Sequence, residues 1–280
     1  MKKISIKTLS ITAISVALVS LALRIISLFF FYDKIGYYKS GAVVPLIASL
    51  ILGISILFFL VASIFFIDKN QSIENTGKLS QYAALLPIAA LIIHIFKIFS
   101  PTFNDTMVNK YLMLASAVLS IIFFLLIFID KKKYKTITFY MGIGVLLYVF
   151  FCWMYAYFEF FIPINSINKI LFYLSTAGAL LFIFNEMCFI YGFVRARFYY
   201  FSLFSSIIIL TVAPLSAIIG YLSGAIEGYI TFEADIFLFA LLIYALARLI
   251  DAQKSKAEKM PEPSINENEQ TQESLDDDSN

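Results

Sequence analysis

The sequence predicts an all-α fold: a polytopic membrane bundle of about eight transmembrane helices (1–250), followed by a disordered, acidic, cytosolic C-terminal tail (251–280). Three observations carry this. First, 61% of the 280 residues are hydrophobic and only 14% charged, whereas soluble domains run at ~45–50% apolar and ~25% charged. Second, the mean hydropathy is +0.87, and the apolar residues fall in blocks long enough to span a bilayer, which takes ~20 residues. Third, Pro261–Asn280 holds seven acids, no base and almost nothing apolar. Such a segment buries too little surface to offset chain entropy.

The first apolar run, Thr8–Tyr32, follows Lys2, Lys3 and Lys7. A basic start before an apolar run also describes a signal peptide, but this run is too long for one, and Arg24 sits where cleavage would fall. It reads as the first span. The second is Ala42–Ile67, after the polar turn Asp33–Gly41. Asp68–Ser80 is a loop, and Gln81–Ser100 the third span, with Pro87, His94 and Lys97 inside it. Pro101 follows the end of that helix, as a helix stop does. The fourth span is Tyr111–Ile129, and Asp130–Thr136 is a lysine cluster. The fifth is Ile137–Phe158, whose far end is crowded with aromatics from Trp153 to Phe161, as at a membrane interface. The sixth is Lys169–Val194, closed by Arg195 and Arg197. The seventh is Phe201–Leu222 and the eighth Thr231–Ile250.

Threading follows from Lys and Arg placement. One side takes Lys2, Lys3, Lys7, Lys69, Lys78, Lys131–Lys133, Lys135, Arg195, Arg197, Arg248 and the lysines beyond it. The other takes only Lys34, Lys39, Lys110 and Lys169. Every hairpin shows the same bias, so both termini are expected in the cytoplasm. The abundance of Lys over Arg, with frequent Ile, Phe and Asn, suggests a bacterium with an AT-rich genome.

Four spans plus four is a natural division at Asp130–Thr136, and would be a parallel repeat about an axis along the membrane normal. One ungapped match bears on it: Pro87–His94 aligns with Pro214–Tyr221, in the third helix of each half. Two apolar helices with one proline each also align this way by chance, and chance is the reading preferred.

Glu186 is the most expensive residue in the chain. It lies beside Asn185 inside an apolar run, and an intramembrane carboxylate is a functional candidate by default. Its expected depth is roughly 7 Å below the midplane, with Arg24 and His94 roughly 5 Å above it and Lys97 roughly 10 Å above it. Two states suit Glu186: protonated and hydrogen-bonded, beside Asn185, or paired with Arg24 or His94. An unpaired charge is excluded by its cost of several kcal/mol. Arg24 is the preferred partner, because arginine is longer and always charged. Lys97 reads as snorkelling to the outer surface. Glu227, Glu233 and Asp235 lie at the same end and suggest a compensated charge cluster.

Ser216, Gly220, Gly224 and Gly228 recur every four residues. Small residues on one ridge let helix backbones approach closely, so a packing seam is expected. Cys152 and Cys188 lack any ligand spacing and read as buried small hydrophobes. Asn104–Thr106 is not followed by metal-ligand types, so neither metal nor cofactor is expected. The chain has no HExxH, GxSxG or Walker pattern, and its single histidine leaves little material for acid–base chemistry.

Three function classes remain. A non-enzymatic binding, sensing or accessory component of a bacterial cytoplasmic membrane comes first. A transporter for a small solute or lipid is second, and an intramembrane enzyme last. The expected partners are membrane lipids, with a membrane or cytosolic protein also considered. No basic face is available for nucleic acid. A transporter should line a continuous polar path with Arg24, His94 and Glu186; an accessory protein need not.

Overall fold

The computed structural model describes residues 5–34, 37, 39, 43–68, 77–100, 103, 106–130, 134–158, 166–193, 195–226 and 231–257, except the side chains of 130 and 254–257. The expected disorder of the tail beyond 257, and the expected roles of Glu227 and Gly228, lie outside these residues. Nine helices occur among the described residues: α1 (Ile6–Phe31), α2 (Val44–Phe66), α3 (Lys78–Ala83), α4 (Leu85–Ile98), α5 (Met107–Asp130), α6 (Lys135–Phe158), α7 (Ile167–Tyr191), α8 (Ala196–Leu222) and α9 (Phe232–Ala257). Helices α3 and α4 together form one span, interrupted at Ala84. Pro87 explains the interruption: it has no N–H to bond the Ala83 carbonyl, and its ring crowds that turn. Seven helical segments, from α1 to α8 with α3–α4 counted once, are long and apolar enough to cross a membrane. Helix α9, 26 residues long, is the eighth long helix and packs along α8, α4 and α3. The chain is an all-α polytopic membrane bundle.

Two ends are defined by contacts between successive hairpins. At the lysine-rich end, Arg197 Nε at the start of α8 donates to the Ile67 carbonyl after α2, at 2.8 Å. Lys135 of α6 lies over the Tyr191 ring at the end of α7, 5.2 Å from its centroid. At the lysine-poor end, Arg24 of α1 donates to Asn168 of α7, and Lys97 of α4 faces Glu233 of α9.

Helix α8 is the axis of the fold. It packs against α7, α1, α9 and α2, and is buried along most of its length. Ser206 Oγ on α8 donates to the Gly178 carbonyl of α7 at 2.8 Å, which joins the two helices directly. Helices α5 and α6 form the other tight seam. A Cβ on Gly144 would lie 2.3 Å from the Cβ of Leu119, so only glycine fits there.

Three expectations are revised, and one alternative, the four-plus-four repeat, is set aside. Helix α7 stops at Tyr191 rather than at Val194. Gly192, at φ 96°, reverses the chain, and Phe193 N closes onto the Cys188 carbonyl at 2.8 Å. Arg195 and Arg197 therefore begin α8 instead of closing α7. Helix α9 passes 250 and continues to Ala257, with Asp251 buried. Asp251 Oδ2 accepts from Ser80 N at 2.9 Å and Ser80 Oγ at 2.6 Å, tying α9 to the start of α3. The four-residue ridge ends early: Gly224 lies beyond α8 at φ 72°, with open space beside it. Finally, α7 packs extensively on α8 whereas α2 has no comparable packing on α3–α4. The two halves thus do not repeat each other's contacts.

Candidate functional site

Glu186 lies on α7, five residues before the helix ends. The Gly192 turn sends the chain back as α8, which brings Tyr199 opposite it. Helix α9 supplies Tyr244 and Arg248, four residues apart and so on one helix face. All four side chains are fully buried. Tyr199 Oη donates to Glu186 Oε2 at 2.9 Å, and Tyr244 Oη donates to Oε1 at 3.0 Å. Arg248 Nε lies 2.9 Å from Oε1 and 3.1 Å from Oε2. Three donors thus meet one carboxylate, which has about four lone-pair positions to offer. The guanidinium is covered by Phe189, 4.6 Å from its ring centroid, and by Tyr199 at 5.7 Å.

This corrects the pairing expected for Glu186. Its partner is neither Arg24 nor His94. The carboxylate is closer to the lysine-rich end than to the other, and α9 brings Arg248 to the same level. Asn185 does not reach it either, because its Nδ2 donates to the Leu181 carbonyl of its own helix at 2.8 Å. Arg248, Tyr199 and Tyr244 were missed by the sequence reading. The available signal was on α9: Tyr244, Arg248 and Asp251 recur at i, i+4 and i+7, which is one polar stripe.

The remaining candidates form two groups at the lysine-poor end. His94, on α4, is buried, and its Nδ1 shares a hydrogen bond with Tyr148 Oη of α6. Phe103 lies edge-on to the imidazole at 6.3 Å. Lys97, one turn on, is 35% exposed and lies 3.7 Å from Glu233 of α9. Snorkelling and pairing therefore coexist in Lys97. Asp235, buried at the start of α9, accepts from Thr231 Oγ1 at 3.3 Å. Of the charge cluster the sequence suggested, the described residues show the Lys97–Glu233 pair, and Arg24 stands apart from it. Arg24 belongs to the other group. Its Nη2 donates to Asn168 Oδ1, and its guanidinium lies over the Tyr32 ring, 4.6 Å from the centroid.

No family model, curated protein or solved structure matches the chain. The site therefore has to speak through its own geometry. Between the His94 group and the Glu186 group stand aromatic rings. Phe237 meets Tyr148 at 4.9 Å and Phe124 at 6.4 Å, and Phe124 meets Tyr244 at 5.9 Å. All four rings are buried. Asp235 and Tyr244 are nine residues apart on α9, which is ~13 Å of helix. The two polar groups thus sit on either side of the buried Phe237 and Phe124 rings. Among the described residues no three His, Cys, Asp or Glu side chains converge to hold a metal ion.

Within the helix-packing set, Ser216 is buried and donates to the Ala213 carbonyl at 3.1 Å. Gly220 meets Leu28 of α1 and Ile226 of the returning chain. Those two residues act in packing, while Gly224 acts in ending the helix.

Proposed function

We propose that the chain is a non-enzymatic binding or accessory component of a bacterial cytoplasmic membrane, with both termini on the cytoplasmic side. The observation that carries the non-transport part is the pair of buried rings, Phe237 and Phe124, between Tyr148 of one polar group and Tyr244 of the other. Each group is neutralised locally: Glu186 by Arg248, and Lys97 by Glu233. A permeating ion or polar solute would have to pass those rings without a partner, at a cost of several kcal/mol. The cytoplasmic placement of the termini rests on the lysine asymmetry alone.

Transport is the second reading, and one observation favours it. Pro214 lies inside α8, the enclosed axis of the bundle. It cannot donate to the Leu210 carbonyl, so the helix has a natural pivot in its second half. The test is flux in liposomes containing the purified full chain and loaded with a pH-sensitive dye or a sodium-sensitive dye. Dissipation of imposed proton and sodium gradients should match protein-free vesicles. Faster dissipation that disappears in His94→Ala would overturn the non-transport reading.

A further inference from the structure

At the lysine-poor end a pocket opens between the end of α4 and the start of α5. Ile98 and Phe99 line it from α4, and Met107, Lys110, Tyr111 and Leu114 from α5. The α5 residues follow the spacing i, i+3, i+4 and i+7, so they form one stripe down a single helix face. The empty volume is about 690 Å³, of which about 300 Å³ can seat the centre of a water-sized group. Both figures fall within the ~300–1,000 Å³ of small-ligand sites. The pocket therefore admits a headgroup and not only a single water or ion.

Lys110 is held in place there. Its Nζ donates to the Phe103 carbonyl at 2.7 Å and lies over the Phe103 ring, 5.5 Å from the centroid. Phe103 is anchored in turn, being buried and stacked on Tyr155 at 4.7 Å. Both of these contacts of Lys110 are neutral, and an ammonium has three donors. No residue lining the pocket is acidic. Glu233, the acid that α4 meets, faces Lys97 instead. Among the described residues no carboxylate pairs with Lys110.

The two polar side chains of the stripe stand at one depth. Tyr111 follows Lys110 in the chain, so their positions differ by ~1.5 Å along the helix axis. A single phosphodiester can therefore touch both the ammonium and the phenol. Lys110 closes the first turn of α5, where lysine and tyrosine side chains sit at headgroup level. Leu114, one turn on, lies ~6 Å deeper, so the stripe becomes apolar towards the bilayer centre. Phe96 and Phe99 of the α4 end and Val108 of α5 are exposed and apolar. The pocket is therefore entered from lipid.

We propose that this pocket binds the headgroup of an anionic phospholipid, its phosphodiester on Lys110 Nζ and Tyr111 Oη and its first methylenes on Leu114. One ammonium balances one negative charge, which matches a phosphodiester rather than a dianionic phosphomonoester. The site is separate from the Glu186 cluster and serves an accessory protein or a transporter alike. The flux assay can fail without touching it.

The test is photo-crosslinking at the rim of the pocket. Met107, which is 69% exposed, is replaced by p-benzoylphenylalanine in the full chain. The protein is placed in nanodiscs of equal parts phosphatidylglycerol and phosphatidylcholine, and the lipid adducts are identified by mass spectrometry. Reading one position keeps the lysine-rich end out of the measurement. Phosphatidylglycerol adducts should exceed phosphatidylcholine adducts about fivefold, the scale of one basic residue at an anionic lipid. Lys110→Gln should bring the two to parity, and Lys110→Arg should keep the preference. Tyr111→Phe should weaken it, by removing one donor. Leu114→Trp decides the matter if Lys110→Gln fails to fold: the indole fills the pocket with the charge intact, and the preference should again be lost. Equal adducts in the parent would overturn the proposal, as would an unchanged preference in the Lys110→Gln or Leu114→Trp protein. Loss of the phosphatidylglycerol adducts on adding millimolar inorganic phosphate would also overturn it, in favour of a free-anion site.

Discussion

Glu186 and Arg248 are held as a unit, and the unit can be dissected. Replacing Glu186 by Gln keeps an acceptor for one of the two tyrosines, turns an amide NH2 towards the other and leaves the buried guanidinium uncompensated. Breaking a buried pair from one side costs about 3–5 kcal/mol. Unfolding of Glu186→Gln in detergent should show a loss of about that size, and Arg248→Met in the same protein should recover most of it. Arg24→Gln should instead add to Glu186→Gln within about 0.5 kcal/mol, because Arg24 meets Asn168 at the opposite end of α7 from Glu186. Recovery by Arg24→Gln rather than Arg248→Met would contradict the geometry. The carboxylate was legible in the sequence, since an acid in a long apolar run always needs an explanation. Its partner was not. Arg248 lies two residues before the expected bundle end at 250, and so reads as one more base on the cytoplasmic flank. The extension of α9 to Ala257 moves it inside.

At the scale of elements, the glycines divide by mechanism. Gly144 is a contact glycine, with Leu119 Cβ and backbone where its own Cβ would go. Gly220 is a softer one, because the atoms it meets are the ends of the Leu28 and Ile226 side chains. Gly224 is a backbone glycine, at φ 72° with nothing nearby. Gly144→Ala should therefore cost about 1–3 kcal/mol through overpacking, and Gly220→Ala less. Gly224→Ala should cost about 1–2 kcal/mol through left-handed strain, and Gly224→Asn less than Gly224→Ala, because Asn tolerates that conformation. Greater damage from the larger Asn side chain would return Gly224 to a packing role. Spacing alone could not sort these. Ser216, Gly220, Gly224 and Gly228 form one ridge only if the helix continues, and a helix that stops at Leu222 leaves Gly220 in packing and puts Gly224 in the turn beyond it. Helix bounds themselves were largely legible, because apolar runs of span length end where polar residues begin. Pro87 marks the Ala84 interruption for the same kind of local reason.

Across the whole molecule, which helix ends share a side was legible and the neighbours were not. Lysine asymmetry reads each crossing independently, and interlocks such as Arg197 with Ile67 and Asp251 with Ser80 join the expected helix ends. Hydropathy is nearly blind to which span is central, since lipid and a neighbouring helix are equally apolar partners. The enclosed stretch of α8, with Ser202, Ser205 and Ser206, carries small polar residues suited to close packing, but it lies a full helix half away from the ridge that drew notice. Orientation is the remaining consequence. In a protein with Cys152 and Cys188 replaced by Ala, cysteines at Lys34 and Thr106 should react with a membrane-impermeant maleimide on intact cells. Cysteines at Asp68 and Lys78 should react only after lysis. All four positions are exposed, so a silent position reports sidedness rather than burial. Reversal of all four would keep the bundle and invert the charge rule. A mixed result, with Asp68 and Lys78 on different sides, would contradict the bundle itself, because Ser80 next to Lys78 is fastened to the same α9 end that the start of α8 and the end of α2 share.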